Sequence, residues 1–218
     1  MDAGELAQIT LLSLRVSLTA VSLSTLVGVF LGSLIATSSS KYKNALVTLV
    51  NTFMGTPPVL LGLVLYLLLS RSGPLGFLGM LFTPEAMVLA QFLLTLPIIT
   101  GLTISAVESL PSELREFVKS ISPSRLHESV LLLNESRIGV FGAVLAALAR
   151  AVSEVGAVII VGGNIRYYTR VLTTAIVYYT NTGEFETSLW LGATLTAIYL
   201  AINVVLVYVR TRLGARSD

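Results

Sequence analysis

The chain has 218 residues, of which 54% are apolar and 12% charged, and its mean hydropathy is +0.85. Soluble globular domains carry about 25% charged residues, and disordered chains combine low hydrophobicity with high net charge, so both classes are excluded. The formal charge of +2 gives no sign of a nucleic-acid partner, and the absence of cysteine excludes a disulfide scaffold, a thiolate metal site and a cysteine nucleophile. The composition predicts a polytopic membrane protein.

Five apolar runs are long enough to cross a bilayer, which takes about 20 helical residues. Four uncharged runs are Val16–Ala36, Ala45–Ser70, Ala86–Val107 and Thr187–Val209, and a fifth, Ile138–Ile165, carries Arg150 and Glu154. We therefore predict an all-α fold with five transmembrane helices in a single domain, residues 1–218. The predicted spans are about 11–36, 45–70, 85–107, 138–163 and 187–209.

Glycine and proline add detail to these spans. Pro57-Pro58 and Pro97 predict kinks, because proline lacks a backbone donor. Gly28 and Gly32 have the spacing of a helix-packing site. The uncharged stretch 72–84 is too short to span and predicts an interfacial or re-entrant segment.

The basic residues indicate the orientation, because lysine and arginine accumulate in cytoplasmic loops. One side has four of them, Arg15, Arg71, Arg166 and Arg170, and the other has nine. Those nine are Lys41, Lys43, Arg115, Lys119, Arg125, Arg137, Arg210, Arg212 and Arg216. The N-terminus is therefore predicted outside and the C-terminus in the cytoplasm. Gly-Lys does not occur, so the chain lacks a GxxxxGK[ST] phosphate loop and is not expected to hydrolyse ATP itself.

The loop between spans three and four predicts a short amphipathic helix. Leu114, Phe117, Val118 and Ile121 form one apolar stripe, and Ser112 is the predicted N-cap. Ser122-Pro123 is expected to end this helix and to cap a second helix that leads towards span four. So short a helix is not stable alone and must bury its stripe. Periodicity slightly favours the protein's own cytoplasmic face or the lipid headgroups over a groove on a soluble partner.

Arg150 and Glu154 lie near the middle of the fourth predicted span and four residues apart, hence on one helix face. Because ionisable groups at membrane depth are costly, the pair should face a protein interior or a water-filled path. A functional role and a structural lock between two helices both fit. Gly162-Gly163-Asn164 is expected to end the helix, and His127 is expected to be solvated.

The run from residue 150 to 165, RAVSEVGAVIIVGGNI, followed at 169–176 by TRVLTTAI, resembles the permease subunit of ABC-type oxyanion importers. Ser153–Ala157 and the VGGNI that follows are more similar to the tungstate branch than to the molybdate and sulfate branches, which usually read Gly-Glu-Phe-Gly-Ala. The resemblance covers nearly the whole chain, including Leu14–Leu18 and residues 57–63. It implies a type I ABC importer permease fold.

The resemblance also implies a cytoplasmic coupling helix, here at about 112–122, with the pattern Glu-Ala-Ala-x-x-x-Gly. The matching stretch Glu116–Ser122 keeps the glutamate and replaces both alanines and the glycine. Because the apolar spacing independently predicts a helix at this place, docking to an ATPase becomes the preferred interpretation. The residues assigned to that contact are Leu114, Arg115, Glu116, Phe117, Val118, Ile121 and Ser122.

By the same resemblance, two copies of the chain form the channel, two ATPase subunits carry the ATP and Mg²⁺, and an external solute-binding protein delivers the anion. The chain itself is expected to bind no cofactor or metal. The residues assigned to the translocation path are Arg150, Ser153, Glu154 and Asn164. Alternatives are a molybdate or sulfate permease of the same architecture, a five-span secondary transporter or channel that needs no ATP, and a membrane scaffold.

Overall fold

The computed structural model describes residues 2–214. Over this range the chain consists of helices, turns and loops, with no β-strand. The helices are α1 Ala3–Ala36, α2 Lys43–Met54, α3 Pro58–Leu69, α4 Pro84–Glu108, α5 Ser112–Ile121, α6 Arg125–Glu135, α7 Arg137–Val152, α8 Gly156–Gly162, α9 Leu172–Asn181 and α10 Phe185–Gly214, with a short 3-10 helix at Gly76–Leu78. The all-α class predicted from the sequence is confirmed.

Within the described range, α1, α4 and α10 are long and apolar enough to cross a membrane. Two bent pairs, α2–α3 and α6–α7, raise the number of possible spans to at most five. Residues 70–83, which include most of the stretch predicted not to span, form turns and the 3-10 helix. The pattern of long helices therefore agrees with a polytopic membrane protein.

Helices α1 and α4 run side by side in the same direction and organise the fold. The Oγ of Ser24 lies 2.6 Å from the Oγ1 of Thr95, and further along the pair Gly32 packs against Thr100 and Thr103. Both helices therefore start at one end of the molecule, the upper end, near residues 70–83 and 163–171. They finish at the opposite, lower end, near residues 37–42 and α5.

The two glycines predicted to pack helices lie in this contact. A Cβ added at Gly32 would stand 2.7 Å from the Thr100 carbonyl oxygen, and one at Gly28 would stand 3.0 Å from the Ile99 side chain. The backbones of α1 and α4 therefore approach too closely for any larger residue at position 32. This is the close approach that small residues permit between membrane helices.

Replacing Gly32 by valine is expected to lower the free energy of unfolding by about 2 kcal/mol, because overpacking a close contact typically costs about 1–3 kcal/mol. The measurement is the thermal unfolding midpoint in detergent. Gly142→Ala is the matched control, since a Cβ at Gly142 meets nothing within 4 Å. Equal midpoints for the two variants would contradict this account of the α1–α4 contact.

The second predicted span is two helices rather than one. Helix α2 ends at Met54, α3 begins at Pro58, and the two are bent by 94°. Pro57 and Pro58 supply no backbone N–H, so the chain cannot continue an α-helix through this point. The kink predicted here is in fact a break. Pro97, by contrast, lies within the continuous helix α4.

The fourth predicted span, 138–163, is also interrupted. Helix α7 ends at Val152 and α8 begins at Gly156, so the prediction of one helix was wrong. Backbone carbonyl groups at the break accept hydrogen bonds from side chains of other helices. Gln91 Nε2 donates to the Ala151 carbonyl at 3.0 Å, and Thr173 Oγ1 donates to the Glu154 carbonyl at 2.8 Å. Helix ends need such partners, which the local sequence does not reveal.

The two breaks lie next to each other. A Cβ added at Gly156, the first residue of α8, would stand 2.7 Å from the Val59 side chain at the start of α3, and Gly62 packs on Ala157 one turn further along. Helices α3 and α8 therefore leave their breaks as a packed pair. Their buried residues join those of α1 and α4 in the largest apolar core.

The loop 163–171 is fastened to the first turns of α1. Arg166 makes two hydrogen bonds to the buried Glu5 carboxylate, at 2.7 and 3.0 Å, and Gln8 donates to the Tyr167 carbonyl at 2.7 Å. The hydrogen bonds that Arg166 donates to Glu5 raise the pKa of the Arg166 guanidinium above its ordinary value. The loop is thereby held in one conformation at the upper end.

Candidate functional site

Helix α5, the predicted coupling helix, lies at the lower end and divides its apolar stripe. Val118 is buried at 5% exposure and packs with half-buried Leu114 against a core formed by α4 and α6. Phe117 and Ile121 point away from the protein, with 60% and 55% of their surfaces exposed. One half of the stripe therefore fixes the helix to the chain, and the other half remains free.

The remaining residues assigned to this contact are also divided. Glu116 is exposed, whereas Arg115 and Ser122 are half-buried. The Ser122 hydroxyl donates to the Val118 carbonyl at 2.7 Å, so it serves the end of the helix. The free surface of α5 thus presents Glu116, Phe117 and Ile121, and the prediction that Val118 belongs to it was wrong.

Two predicted helix caps differ in the structure. Ser112 is the first helical residue after the cap Pro111, and no side chain caps α5. The second helix begins at Arg125, where the Oγ of Ser124, not Ser122-Pro123, accepts a hydrogen bond from the backbone N–H of His127. Ser124 has the extended backbone that a cap requires. The His127 side chain is exposed, as predicted.

A cavity of about 220 Å³ lies between α5, α6 and the end of α1. The Nε of Arg115 is buried beside it without a hydrogen-bond partner. The cavity is lined by polar groups of both charge signs and by hydroxyls, among them Thr37, Ser38, Ser39, Ser112, Lys119, Glu116 and Glu128. Since α5 is held on one side only and borders a cavity on another, it is attached through a small contact area.

Arg150 and Glu154 form the predicted ion pair, with 2.8 Å between Nη1 and Oε2. Their placement differs from the prediction, because α7 has ended before Glu154. The Glu154 carboxylate is 2% exposed, and its other oxygen accepts the N–H of Ala157 in the first turn of α8 at 3.0 Å. Glu154 therefore ties α7 to α8 across the break. The Arg150 side chain remains 36% exposed.

The pair lies nearer the upper end than the mid-span position that its place in the sequence suggested. Gln91, whose side chain bonds the Ala151 carbonyl, is seven residues from the start of α4, which is about 10 Å of helix. The break beside Ala151 is at the same depth. A cation at this depth is close to the upper surface and can contact an anion entering from that side.

Of the other residues assigned to the path, Ser153 is linked to the ion pair only through its backbone, since its hydroxyl donates to the Arg150 carbonyl at 3.2 Å, and the Asn164 side chain bonds Arg170 instead. Ser153 is exposed at the end of α7, and its hydroxyl donates to the Ala149 carbonyl at 2.9 Å. Asn164 is in the left-handed region, with φ of 49°, and its Oδ1 accepts from Arg170 Nε at 3.3 Å. Gly163, with φ of 71°, ends α8 as predicted.

Sequence reasoning missed Gln91 and Thr173, which hold the break open from α4 and α9. A glutamine within an apolar span was the only local signal. Over the described residues, no three His, Asp or Glu side chains come together to hold a metal ion. The arrangement thus offers a half-attached helix at one end and a broken helix with an ion pair near the other.

The chain is similar to known membrane transport proteins. A family model described as the binding-protein-dependent transport system inner membrane component matches residues 28–218. The chain is 42% identical to a probable anion ABC transporter permease protein of Haloferax volcanii, over 97% of this chain and 94% of the relative. It is 39% identical to the tungstate uptake system permease protein of Peptoclostridium acidaminophilum, over 91% and 87% of the two chains.

The corresponding tungstate permease protein of Campylobacter jejuni is also 39% identical, over 76% of this chain and 69% of its own. The resemblance seen in the sequence alone is confirmed. The chain belongs to the binding-protein-dependent transport system inner membrane components, the permease subunits of ABC importers.

Proposed function

We propose that the chain carries tungstate across the cytoplasmic membrane as half of a permease homodimer, with the upper end outside the cell and the lower end in the cytoplasm. The observation that carries the proposal is the division of α5. A helix fixed by Leu114 and Val118, yet presenting Phe117 and Ile121 outward, suits a contact that transmits motion between two proteins. Family membership supplies the oxyanion importer, and the two tungstate relatives support the choice of anion.

In this proposal two ATPase subunits, which hold ATP and Mg²⁺, each grip one α5 helix. Closure of the ATPase dimer moves α5 and, through α6 and α7, the break at residues 153–155. The 80° bend between α6 and α7 makes this a hinge-type transmission between short rigid helices. A solute-binding protein delivers the anion at the upper end.

Arg150 guides the dianion where the path narrows, and Glu154 orients the Arg150 side chain. Because the Glu154 carboxylate, 2.8 Å away, offsets the positive charge of Arg150, the guanidinium attracts an anion without holding it tightly. Tight retention would slow release, which transport cannot tolerate. Ser153, exposed beside the pair, supplies a neutral hydroxyl, and Asn164 keeps its loop in place through Arg170.

The proposal is tested by reconstituting the chain with its cognate ATPase and binding protein in lipid vesicles. Tungstate uptake should require ATP, the ATPase and the binding protein. It should exceed molybdate and sulfate uptake. Uptake by the chain alone would instead support an ATP-independent transporter. Preference for molybdate or sulfate would keep the importer and correct the substrate.

Replacing Arg150 by methionine is expected to lower tungstate uptake roughly tenfold or more, because a hydrogen bond to a charged group contributes about 1.5–3 kcal/mol. Because the change leaves the buried Glu154 carboxylate without its partner, uptake is compared for equal amounts of folded protein. Co-purification of the ATPase with the folded variant should be unchanged, since Arg150 is far from α5 along the fold. Arg71→Met, which removes an exposed arginine at the upper end, is the control. Normal uptake by Arg150→Met would remove this residue from the path.

A further inference from the structure

Helix α2 has three distinct faces; within residues 2–214 one of them packs on α4, and the side chains of the other two are largely exposed. Its half-buried residues, Lys43, Val47, Val50 and Met54, recur every three or four positions and face α4. On one flank lie the exposed apolar side chains of Leu46, Leu49 and Phe53. On the other flank lie the exposed polar side chains of Asn44, Thr48, Asn51 and Thr52, here called the α2 polar stripe.

The α2 polar stripe runs from the lower boundary of the spanning helices, at Asn44, to membrane depth, at Asn51 and Thr52. Lys43 pairs with Glu108 at 2.8 Å, which sets the start of α2 beside the end of α4. Asn51 and Met54 flank Gly101, seven residues before Glu108 along α4. Asn51 is therefore about 10 Å inside the lower boundary of the spanning helices.

Lipid is an unsuitable neighbour for this stripe. Transferring an amide to an apolar medium without hydrogen bonds costs several kcal/mol, about 4–8 on the strictest scale. The threonine hydroxyls satisfy their protons within the helix, Thr48 on the Asn44 carbonyl at 2.9 Å and Thr52 on the Thr48 carbonyl at 2.8 Å. The Asn44 and Asn51 side chains are exposed, although the Asn51 Oδ1 lies near Gly101 of α4, and the amide N–H groups have no partner within residues 2–214, so that water, a solute or another protein must satisfy them.

The chemistry of the stripe fits a tetrahedral oxyanion moving through water. Its outward donors are the asparagine N–H groups, which are uncharged. The ionic groups at its lower end, Lys43 and Glu108, are already paired. Neutral donors let a dianion pass without the strong binding that a fixed cation would give.

The stripe also continues towards the ion pair. It ends at the break between α2 and α3, and Val59 beyond that break touches Gly156 beyond the break that holds Arg150 and Glu154. The end of α2 is therefore connected through Val59 to the break that holds the ion pair.

We propose that the α2 polar stripe lines the lower half of the oxyanion path, with Asn44 and Asn51 as the residues that contact the passing anion. This rests on the proposed function and adds path residues that the sequence motifs do not indicate. The upper half contributes a cation, Arg150, and the lower half contributes only amides and hydroxyls. The anion thus moves from an attractive site to a weak one, which favours release into the cytoplasm.

The test uses the natural absence of cysteine in this chain. Asn51→Cys and, separately, Thr48→Cys are assembled with the ATPase in vesicles whose lumen faces the lower end of the chain and contains ATP and, for labelling, the thiol reagent. The binding protein and tungstate are added outside. The matched control is Leu49→Cys, on the apolar flank of the same helix and 52% exposed in the chain. Each is treated with an anionic, water-soluble methanethiosulfonate. Co-purification of the ATPase before labelling shows that each variant is assembled.

We expect both stripe variants to react at least roughly tenfold faster than Leu49→Cys, because the reagent attacks the thiolate, which forms in water and not in lipid. Tungstate should slow the reaction, and labelling should block uptake. Equal rates on the two flanks would overturn the proposal. The proposal would also be overturned if Asn51→Cys resisted the reagent and formed an oxidative cross-link between two copies of the chain. That result would make the stripe a dimer contact. Either result leaves the importer intact if uptake before labelling still needs ATP.

Discussion

Replacing Phe117 by aspartate is expected to abolish co-purification of the ATPase with the chain and to stop ATP-driven uptake. Phe117 is 60% exposed on α5, so the change should leave the permease folded. A central aromatic residue in a protein interface typically contributes about 2 kcal/mol or more, which is roughly a thirtyfold change in affinity. A carboxylate there adds the cost of burying a charge. Pull-down of the ATPase and vesicle uptake measure the effect.

Phe77 provides the matched control for this experiment. It is 82% exposed on the 3-10 helix at the upper end, so Phe77→Asp makes the same chemical change far from α5. We expect ATPase binding to be unchanged in that variant. Val118→Asp, in contrast, buries a charge in the core below α4 and should reduce the amount of folded protein. Normal ATPase binding by Phe117→Asp would show that the exposed half of α5 is not the contact.

Replacing Glu154 by alanine is expected to destabilise the chain by about 1–3 kcal/mol, the cost of leaving a buried hydrogen-bond donor without its acceptor. The change removes the acceptor for Ala157 N–H and leaves Arg150 without its partner at 2.8 Å. The two helices would then lose the side chain that spans their break. The midpoint of thermal unfolding in detergent, followed by helical circular dichroism, measures the effect.

Two further variants separate the causes. Glu154→Gln keeps an oxygen for Ala157 N–H and removes only the ion pair, so we expect an intermediate midpoint. Glu135→Ala removes an exposed carboxylate at the end of α6 and should leave the midpoint nearly unchanged. If Glu154→Ala unfolds at the same temperature as Glu135→Ala, the carboxylate does not tie α7 to α8.

In helix α5, the periodicity of the apolar residues predicts the helix but not which neighbours its apolar stripe contacts. The spacing of Leu114, Phe117, Val118 and Ile121 predicted both the helix and its apolar stripe. It left open whether the stripe faces the protein or a partner, because spacing describes one helix and not its neighbours. The structure shows Val118 buried in the protein and Phe117 exposed, so the protein's own face accounts for one half of the stripe, and docking to a partner stays a prediction for the other half.

The two helix breaks differ in whether the local sequence predicts them. Adjacent prolines at 57 and 58 are local, so the interruption of the second span was visible in the sequence, although its 94° bend was not. The break at residues 153–155 contains no proline. It exists because Gln91 and Thr173, which are distant along the chain, satisfy the carbonyls that the end of α7 releases.

Composition and run length determined that this is a helical membrane protein, because the bilayer requires about 20 apolar residues per span whatever the helices pack against. The residues from Arg150 to Asn164 were enough to identify the family. Contacts between distant residues decided the rest: which half of α5 is free, how deep the ion pair lies, and where α2 shows its amides. Those properties depend on which faces of the helices meet, and no local spacing encodes that.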